Sequence, residues 1–291
     1  MTIVEEIASL NHLDEKFNNG KPMDPECRLF VSDNYVIKIY YPKKFDYYYN
    51  ELEVYKSLSL SEHLPNLLFY GESKNYKYIV LSKVDGELLF DVWDKLTNLE
   101  RKHYLKEMAE VLKNINNIRS DIVNFKGIMS EEFNNSMSKL CYTNKTKEYL
   151  RSIHDANIEY INNAENASLI HVDTHFYNFM IDSKNRLVAY DFEHTIMAPK
   201  DYQLVRLYRM NYYPETFVYP RNSLDKKKIK KYSSVLFEII KNYPQLINSK
   251  TNERMKVYLL NYLLKEINRC NISEEKALEI INENKKIRLM V

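Results

Sequence analysis

The chain has 291 residues, with 42 Lys and Arg against 40 Asp and Glu, for a formal net charge of +2. That length suits one large domain or two lobes around a real core, and so balanced a charge points neither to nucleic acid nor to an anionic membrane surface. No apolar run reaches the length of a bilayer span, and Met1-Thr2-Ile3-Val4-Glu5-Glu6 lacks the basic-then-apolar layout of a signal peptide. The three cysteines, Cys27, Cys141 and Cys270, are scattered and odd in number, which leads us to expect reduced thiols in a cytoplasmic protein.

The first clear element is a strand over 27–31, turned by Ser32-Asp33-Asn34 into a second strand, Tyr35-Val36-Ile37-Lys38-Ile39-Tyr40. Lys38 lies inside that second strand. A lone strand lysine is ordinarily a solvated one. A helical pattern follows in 50–58, with Leu52, Tyr55 and Leu58 on one stripe and Glu51 and Glu53 as its acids. Residues 64–71 and 76–87 then read as two strands and a hinge, the apolar run Tyr78-Ile79-Val80-Leu81 leading into Ser82-Lys83-Val84. The chain has four glycines, and the segment before the first strand, 18–25, carries just one of them, Gly20.

Thr97-Asn98-Leu99-Glu100 is a capping box opening a helix whose apolar positions Leu105, Met108, Ala109, Leu112 and Ile115 fall three or four apart. Residues 121–167 are polar and rich in Asn, with helical stretches near 131–140 and 145–162. After Asp191 helices are expected over 201–211, 226–242, 251–269 and 273–286, punctuated by Pro214, Pro220 and Pro244.

The most informative stretch is 171–193. His171-Val172-Asp173 begins it, Asn178 follows, and a short apolar hairpin leads to Asp191-Phe192-Glu193, Asp191 lying thirteen residues past Asn178. An acid, an amide and a second acid around a hairpin are the set that phosphoryl transfer from a nucleotide needs: a carboxylate beside the attacking hydroxyl, and oxygen ligands for Mg²⁺.

The spacing His-x-Asp-x-x-x-x-Asn followed by Asp-Phe-Glu resembles the catalytic and metal loops of the aminoglycoside phosphotransferase and choline kinase superfamily, over about residues 27–210. The resemblance implies an α+β, two-lobe protein-kinase-like fold. Its small antiparallel lobe, 1–83, would bind the nucleotide, and its mainly helical lobe, 84–291, would carry catalysis and the substrate. Lys38 would hold the phosphates with Glu51 as its partner and Glu53 as the rival. Backbone groups of Ser82, Lys83 and Val84 would face the purine. Asp173 would orient or deprotonate the acceptor hydroxyl, and Asn178 and Asp191 would ligate Mg²⁺. His171 would brace the loop through hydrogen bonds, Glu193 would touch a second Mg²⁺ or brace the loop, and Asp201 would fasten the catalytic loop from the following helix. The family often has a histidine where His175 stands. The loop that covers the phosphates stays unassigned.

The implied reaction is Mg²⁺-dependent transfer of the γ-phosphate of ATP or GTP to a hydroxyl of a small molecule, such as an aminoglycoside, a choline-like amino alcohol or a sugar. The short connection from Asp191 to Asp201, without an Ala-Pro-Glu element, has no room for a peptide-binding shelf. Two alternatives stand beside it. One is a kinase-shaped nucleotide-binding protein with weak or no chemistry. The other is a metal-dependent hydrolase using His171, Asp173 and His175, which would share one face of a strand.

Overall fold

The computed structural model describes residues 2–20, 27–162, 165–217, 224, 226–284 and 289. The chain forms two compact units, Met1–Ile118 with His171–Ile196, and Arg119–Ile170 with Met197–Val291. The first unit therefore holds the described residues of the expected small lobe and adds the 97–116 helix and the 171–193 stretch.

A five-stranded antiparallel sheet builds the first unit, in the spatial order Asn18–Asn19, Cys27–Val31, Tyr35–Tyr40, Tyr76–Ser82, Leu67–Ser73. Tyr35–Tyr40 lies between two partners, with Lys38 opposite Leu29 on one side and Ile79 on the other. Its β-branched residues suit such a central position. The period of two sorts its side chains. Ile37 and Ile39 pack with Tyr78, Val80 and with Val4 and Ile7 of the Ile3–Leu10 helix. Lys38 and Tyr40 take the opposite face, where the Tyr40 ring meets Tyr48 of the Phe45–Ser57 helix edge-on at 5.6 Å. The Ile3–Leu10 helix is an element that the sequence reading omits. Its signal was present: Thr2 and Glu5 close a full capping box.

A second, three-stranded sheet pairs Gly86–Leu88, Phe179–Asp182 and Leu187–Ala189. The Asn98–Asn116 helix opens at the expected Thr97–Glu100 box and buries Leu105, Met108, Ala109, Leu112 and Ile115. Its Glu107 carboxylate accepts the Leu187 N–H at 2.8 Å and so ties the helix to the hairpin.

In the second unit, Phe125–Ser138, Asn144–Ile158, Thr251–Cys270 and Glu274–Asn284 surround a core of Phe133, Leu150, Leu260, Leu264 and Ile281. The strand Ser120–Val123 pairs antiparallel with Glu165–His171, inside a segment whose sequence suggests only helices. The helix expected over 226–242 is two pieces, Lys226–Lys230 and Val235–Asn242, because Tyr232-Ser233-Ser234 between them are weak helix formers. The helix expected from 201 begins as a 3-10 turn, Lys200–Gln203, before Leu204–Tyr212. Residues 21–25 of the unassigned phosphate-covering segment, and Pro220, lie outside the described residues. Among the described residues no helix is long and apolar enough to cross a membrane.

Gly86 is required by a close approach. A Cβ there would stand 2.2 Å from the Ile181 carbonyl oxygen, which is backbone and cannot swing aside. Gly86→Ala should therefore lower the unfolding free energy by about 1–3 kcal/mol, the usual cost of forcing in one extra carbon. Denaturant unfolding checks this, and an unchanged midpoint would show that the two strands can separate without cost.

Candidate active site

The site is assembled inside the first unit from three backbone devices. The central strand presents Lys38, the helix packed beside it presents Glu51, and the 171–193 stretch returns with the remaining polar groups.

The Lys38 Nζ lies 2.7 Å from Glu51 Oε2, 2.6 Å from Asp191 Oδ1 and 2.7 Å from Glu193 Oε2. The glutamate that reaches it is Glu51, which is 1 % exposed, and not the rival Glu53. Glu51 Oε2 also accepts the Tyr40 hydroxyl. Sequence reasoning missed Tyr40. The available signal was its place two residues after Lys38 on the same strand face. Burial alone would pull the Lys38 ammonium down, but Glu51, with Tyr40, Asp191 and Glu193, outweighs it and raises the group well above its ordinary value. Burial likewise pushes the Asp191 carboxyl up, and Lys38 overcomes that push and holds it below the ordinary range.

The 171–178 loop is closed by its own backbone. The His175 N–H donates to the Asp173 carbonyl at 2.9 Å, and Phe176–Asn178 forms a 3-10 turn. The Asn178 Nδ2 donates to the same Asp173 carbonyl at 2.9 Å, which leaves its Oδ1 outside that bond. The Tyr190 N–H donates to the Asn178 carbonyl at 3.1 Å, so Asn178 and the start of Asp191-Phe192-Glu193 meet at one end of the hairpin. The Asp173 Oδ2 lies 3.2 Å from His175 Nε2. His175 thus holds the carboxylate from the side.

Asp191 has φ 64°, in the left-handed region that Asp and Asn tolerate better than most side chains. Its neighbour Phe192 is fully buried, edge-on to Tyr55 at 5.4 Å and to His171 at 5.2 Å. The turn of the backbone sends Phe192 inward and Asp191 toward Lys38. His171 is fully buried, and its two ring nitrogens make no hydrogen bond among the described residues. The hydrogen-bonded bracing expected of His171 is replaced by packing against Phe179 and Phe192.

The ligand atoms of Glu51, Asp191 and Glu193 all lie within 4.8 Å of one another. Three carboxylates against the one Lys38 ammonium sum to a formal charge of −3 + 1 = −2. Hard oxygen donors carrying a net negative charge are of the kind that suits Mg²⁺.

The hinge differs in detail from expectation. The Ser82 N–H donates to the Asn66 carbonyl at 2.9 Å, and the Lys83 N–H to the Asn34 carbonyl at 2.8 Å. Those two donors belong to the sheet and its margins, which leaves Val84 as the hinge residue whose N–H is not taken up in this way.

Residues 28–222 match the model of the phosphotransferase enzyme family, which is more than half of the chain. The chain belongs to the phosphotransferase enzyme family. Solved structures share the fold of this phosphotransferase at low identity. The ADP-bound aminoglycoside phosphotransferase APH(2'')-Ib gives a TM-score of 0.66 at 16 % identity, over 98 % of this chain and 97 % of its own. APH(2'')-IIa in a ternary complex with streptomycin and ATP gives 0.67 at 16 % identity, over 97 % of each chain. Choline kinase LicA from Streptococcus pneumoniae gives 0.56 at 14 % identity, over 97 % of each. The phosphotransferase thus has the α+β, kinase-like fold that the sequence leads us to expect. No curated protein matches it in sequence.

Asp201 of this phosphotransferase lies in the second unit, on the Lys200–Gln203 turn. Its buried carboxylate accepts Arg254 Nε at 2.8 Å, Thr251 Oγ1 at 2.9 Å and the Tyr258 hydroxyl at 3.3 Å. These partners lie about fifty residues on, in the Thr251–Cys270 helix. The carboxylate anchors that helix to the Lys200–Gln203 turn. Burial raises its pKa despite the Arg254 guanidinium beside it.

Burial lowers the His171 pKa from 6.5 to about 4. Between those values the unfolded chain binds a proton that the folded chain refuses, so stability is complete above pH 6.5 and falls as pH drops toward 4. The loss attributable to His171 should reach roughly 2 kcal/mol by about pH 5. Urea unfolding of the parent and of His171→Asn at about pH 7.5 and pH 5 measures it. An acid slope that is the same in both proteins would show that His171 is not its source.

Proposed function

We propose that this phosphotransferase moves the γ-phosphoryl group of ATP or GTP to a hydroxyl of a small molecule, with Mg²⁺. The observation that carries this reading is the Lys38 ammonium held at 2.6–2.7 Å by Glu51, Asp191 and Glu193, beside a loop that presents Asp173. The APH(2'')-Ib structure is ADP-bound and the APH(2'')-IIa complex contains ATP and streptomycin, which supports a purine nucleotide and a small acceptor.

In this reading Lys38 exchanges part of its carboxylate shell for nucleotide phosphate oxygens, and Glu51 and Tyr40 keep it aimed. Asp191 and Asn178 would hold Mg²⁺, with Glu193 beside them. The ion, when bound, neutralises charge on the phosphates. Val84 would donate to the purine from the hinge. Asp173, oriented by His175, would accept the proton of the acceptor hydroxyl as its oxygen bonds to the γ-phosphorus and the bond to ADP breaks. A carboxylate suffices there, because a loose transition state asks more for position than for base strength.

A small acceptor is favoured over a peptide by the length of chain after Asp191. It passes through Thr195–Ala198 directly into the Lys200–Gln203 turn. The hydrolase alternative finds no support. Among the described residues, the close group of possible metal ligands is Glu51, Asp191 and Glu193, while His171 is enclosed by aromatic rings.

A panel of aminoglycosides, amino alcohols and sugars should contain an acceptor that releases ADP from MgATP, or GDP from MgGTP. Asp173→Asn should cut that turnover by roughly 10²–10⁴-fold, the usual worth of a positioned general base, with nucleotide affinity nearly unchanged. A fully active Asp173→Asn enzyme would exclude Asp173 as the proton acceptor. Labelling of added proteins with no small phosphorylated product would overturn the acceptor class.

A further inference from the structure

The second unit contains a buried cation that the phosphotransfer site does not use. Arg209 lies on the Leu204–Tyr212 helix and is 7 % exposed. Its guanidinium stands 4.4 Å from the Tyr213 ring centroid and 6.0 Å from that of Tyr262. Arg206, one turn earlier, stands 5.0 Å from the same Tyr262 ring and donates Nη1 to its hydroxyl at 2.9 Å. Two guanidinium groups thus converge on one tyrosine.

Arg209 Nε and Nη1 are buried without a hydrogen-bond partner. Among the described residues no carboxylate lies within ion-pair distance of the group; Glu215 and Glu266 act on it only from farther away. Tyrosine rings satisfy the faces of a guanidinium. They do nothing for its N–H donors, which point outward in the guanidinium plane. Leaving such donors dry is unfavourable, because no ring face replaces the water that burial strips from an N–H donor. Folded proteins rarely leave a cation in that state without an acceptor to meet it.

We propose that Arg209, clamped by Tyr213 and Tyr262, is the recognition group of an oxyanion site that takes a carboxylate or a phosphate. Each bidentate edge of the guanidinium pairs Nη2 with Nε or with Nη1, so an oxyanion on either edge meets one of the two unpartnered donors, and this is the geometry in which arginine outperforms lysine. Arg206, which donates to the Tyr262 hydroxyl, adds a second positive charge beside that ring. The site lies wholly in the second unit and does not depend on the phosphotransfer reading.

The full chain, labelled with ¹⁵N-arginine, gives a side-chain Nε–H signal for Arg209 that is identified by its loss in Arg209→Lys. Inorganic phosphate and acetate are titrated separately against chloride at constant ionic strength. The expected result is a saturable shift of the Arg209 signal with phosphate, acetate or both, and none with chloride. Which of the two acts names the group recognised. Melting temperature should rise with the same anion, and Arg209→Lys should weaken that response roughly tenfold or more, as loss of charge-assisted bonds implies. A signal unmoved by either anion, or moved equally by chloride, overturns the proposal. So does an anion response of equal strength in Arg209→Lys. If that variant does not fold, Arg209→Gln identifies the signal, and triple-resonance assignment of the parent does so without any variant.

Discussion

One ammonium group organises the first unit. Lys38 is taken out of water by a central strand, and burial there works against its charge. Glu51, Asp191 and Glu193 keep it charged, and each arrives from a different part of the chain: one from a helix thirteen residues on, two from a turn more than 150 residues on. Removing the Lys38 ammonium would leave three carboxylates facing one another without a cation between them, a cost of several kcal/mol. The arrangement is therefore both a structural clamp and a store of negative potential. Its excess of carboxylate is what a divalent cation with nucleotide phosphates would balance.

The neighbouring backbone exists to deliver those carboxylates. The left-handed turn at Asp191 separates a buried ring from an outward acid within one residue, and His171 and Tyr55 supply the surfaces that trap the ring. Asn178 closes the loop through the Asp173 carbonyl, so the same amide that would serve a metal also fixes the residue assigned to the acceptor. His175 then restricts the Asp173 side chain from beside it. The second unit uses the same economy in a different place, where buried Asp201 joins Arg254, Thr251 and Tyr258.

Much of this was legible in the sequence where the determinants are local. The period of two around Lys38, the capping box at Thr97 and the spacing from His171 to Glu193 each fix geometry within a few residues. The Lys38–Glu51 pairing was legible as a choice between two acids, and the helix register decided it. What stayed hidden depends on distance or on competition for hydrogen bonds. No sequence spacing tells that the Ser82 and Lys83 amides are used up by Asn66 and Asn34. None tells that Asp201 would find its partners in a helix fifty residues later, or that His171 would be held by rings in place of hydrogen bonds. The Thr2-x-x-Glu5 box shows the other kind of miss, a local signal that was present and went unused.

The carboxylate cluster around Lys38 is proposed to be a nucleotide-phosphate site completed by Mg²⁺. Calorimetric titration of ATP and GTP into the full chain, with Mg²⁺ and then with EDTA, tests it most directly. Saturable binding of at least one of the two is expected with Mg²⁺, weakened roughly tenfold or more by EDTA and to a similar degree by Asp191→Asn. Binding of equal strength with and without the metal, or no binding of either nucleotide in any condition, would contradict it.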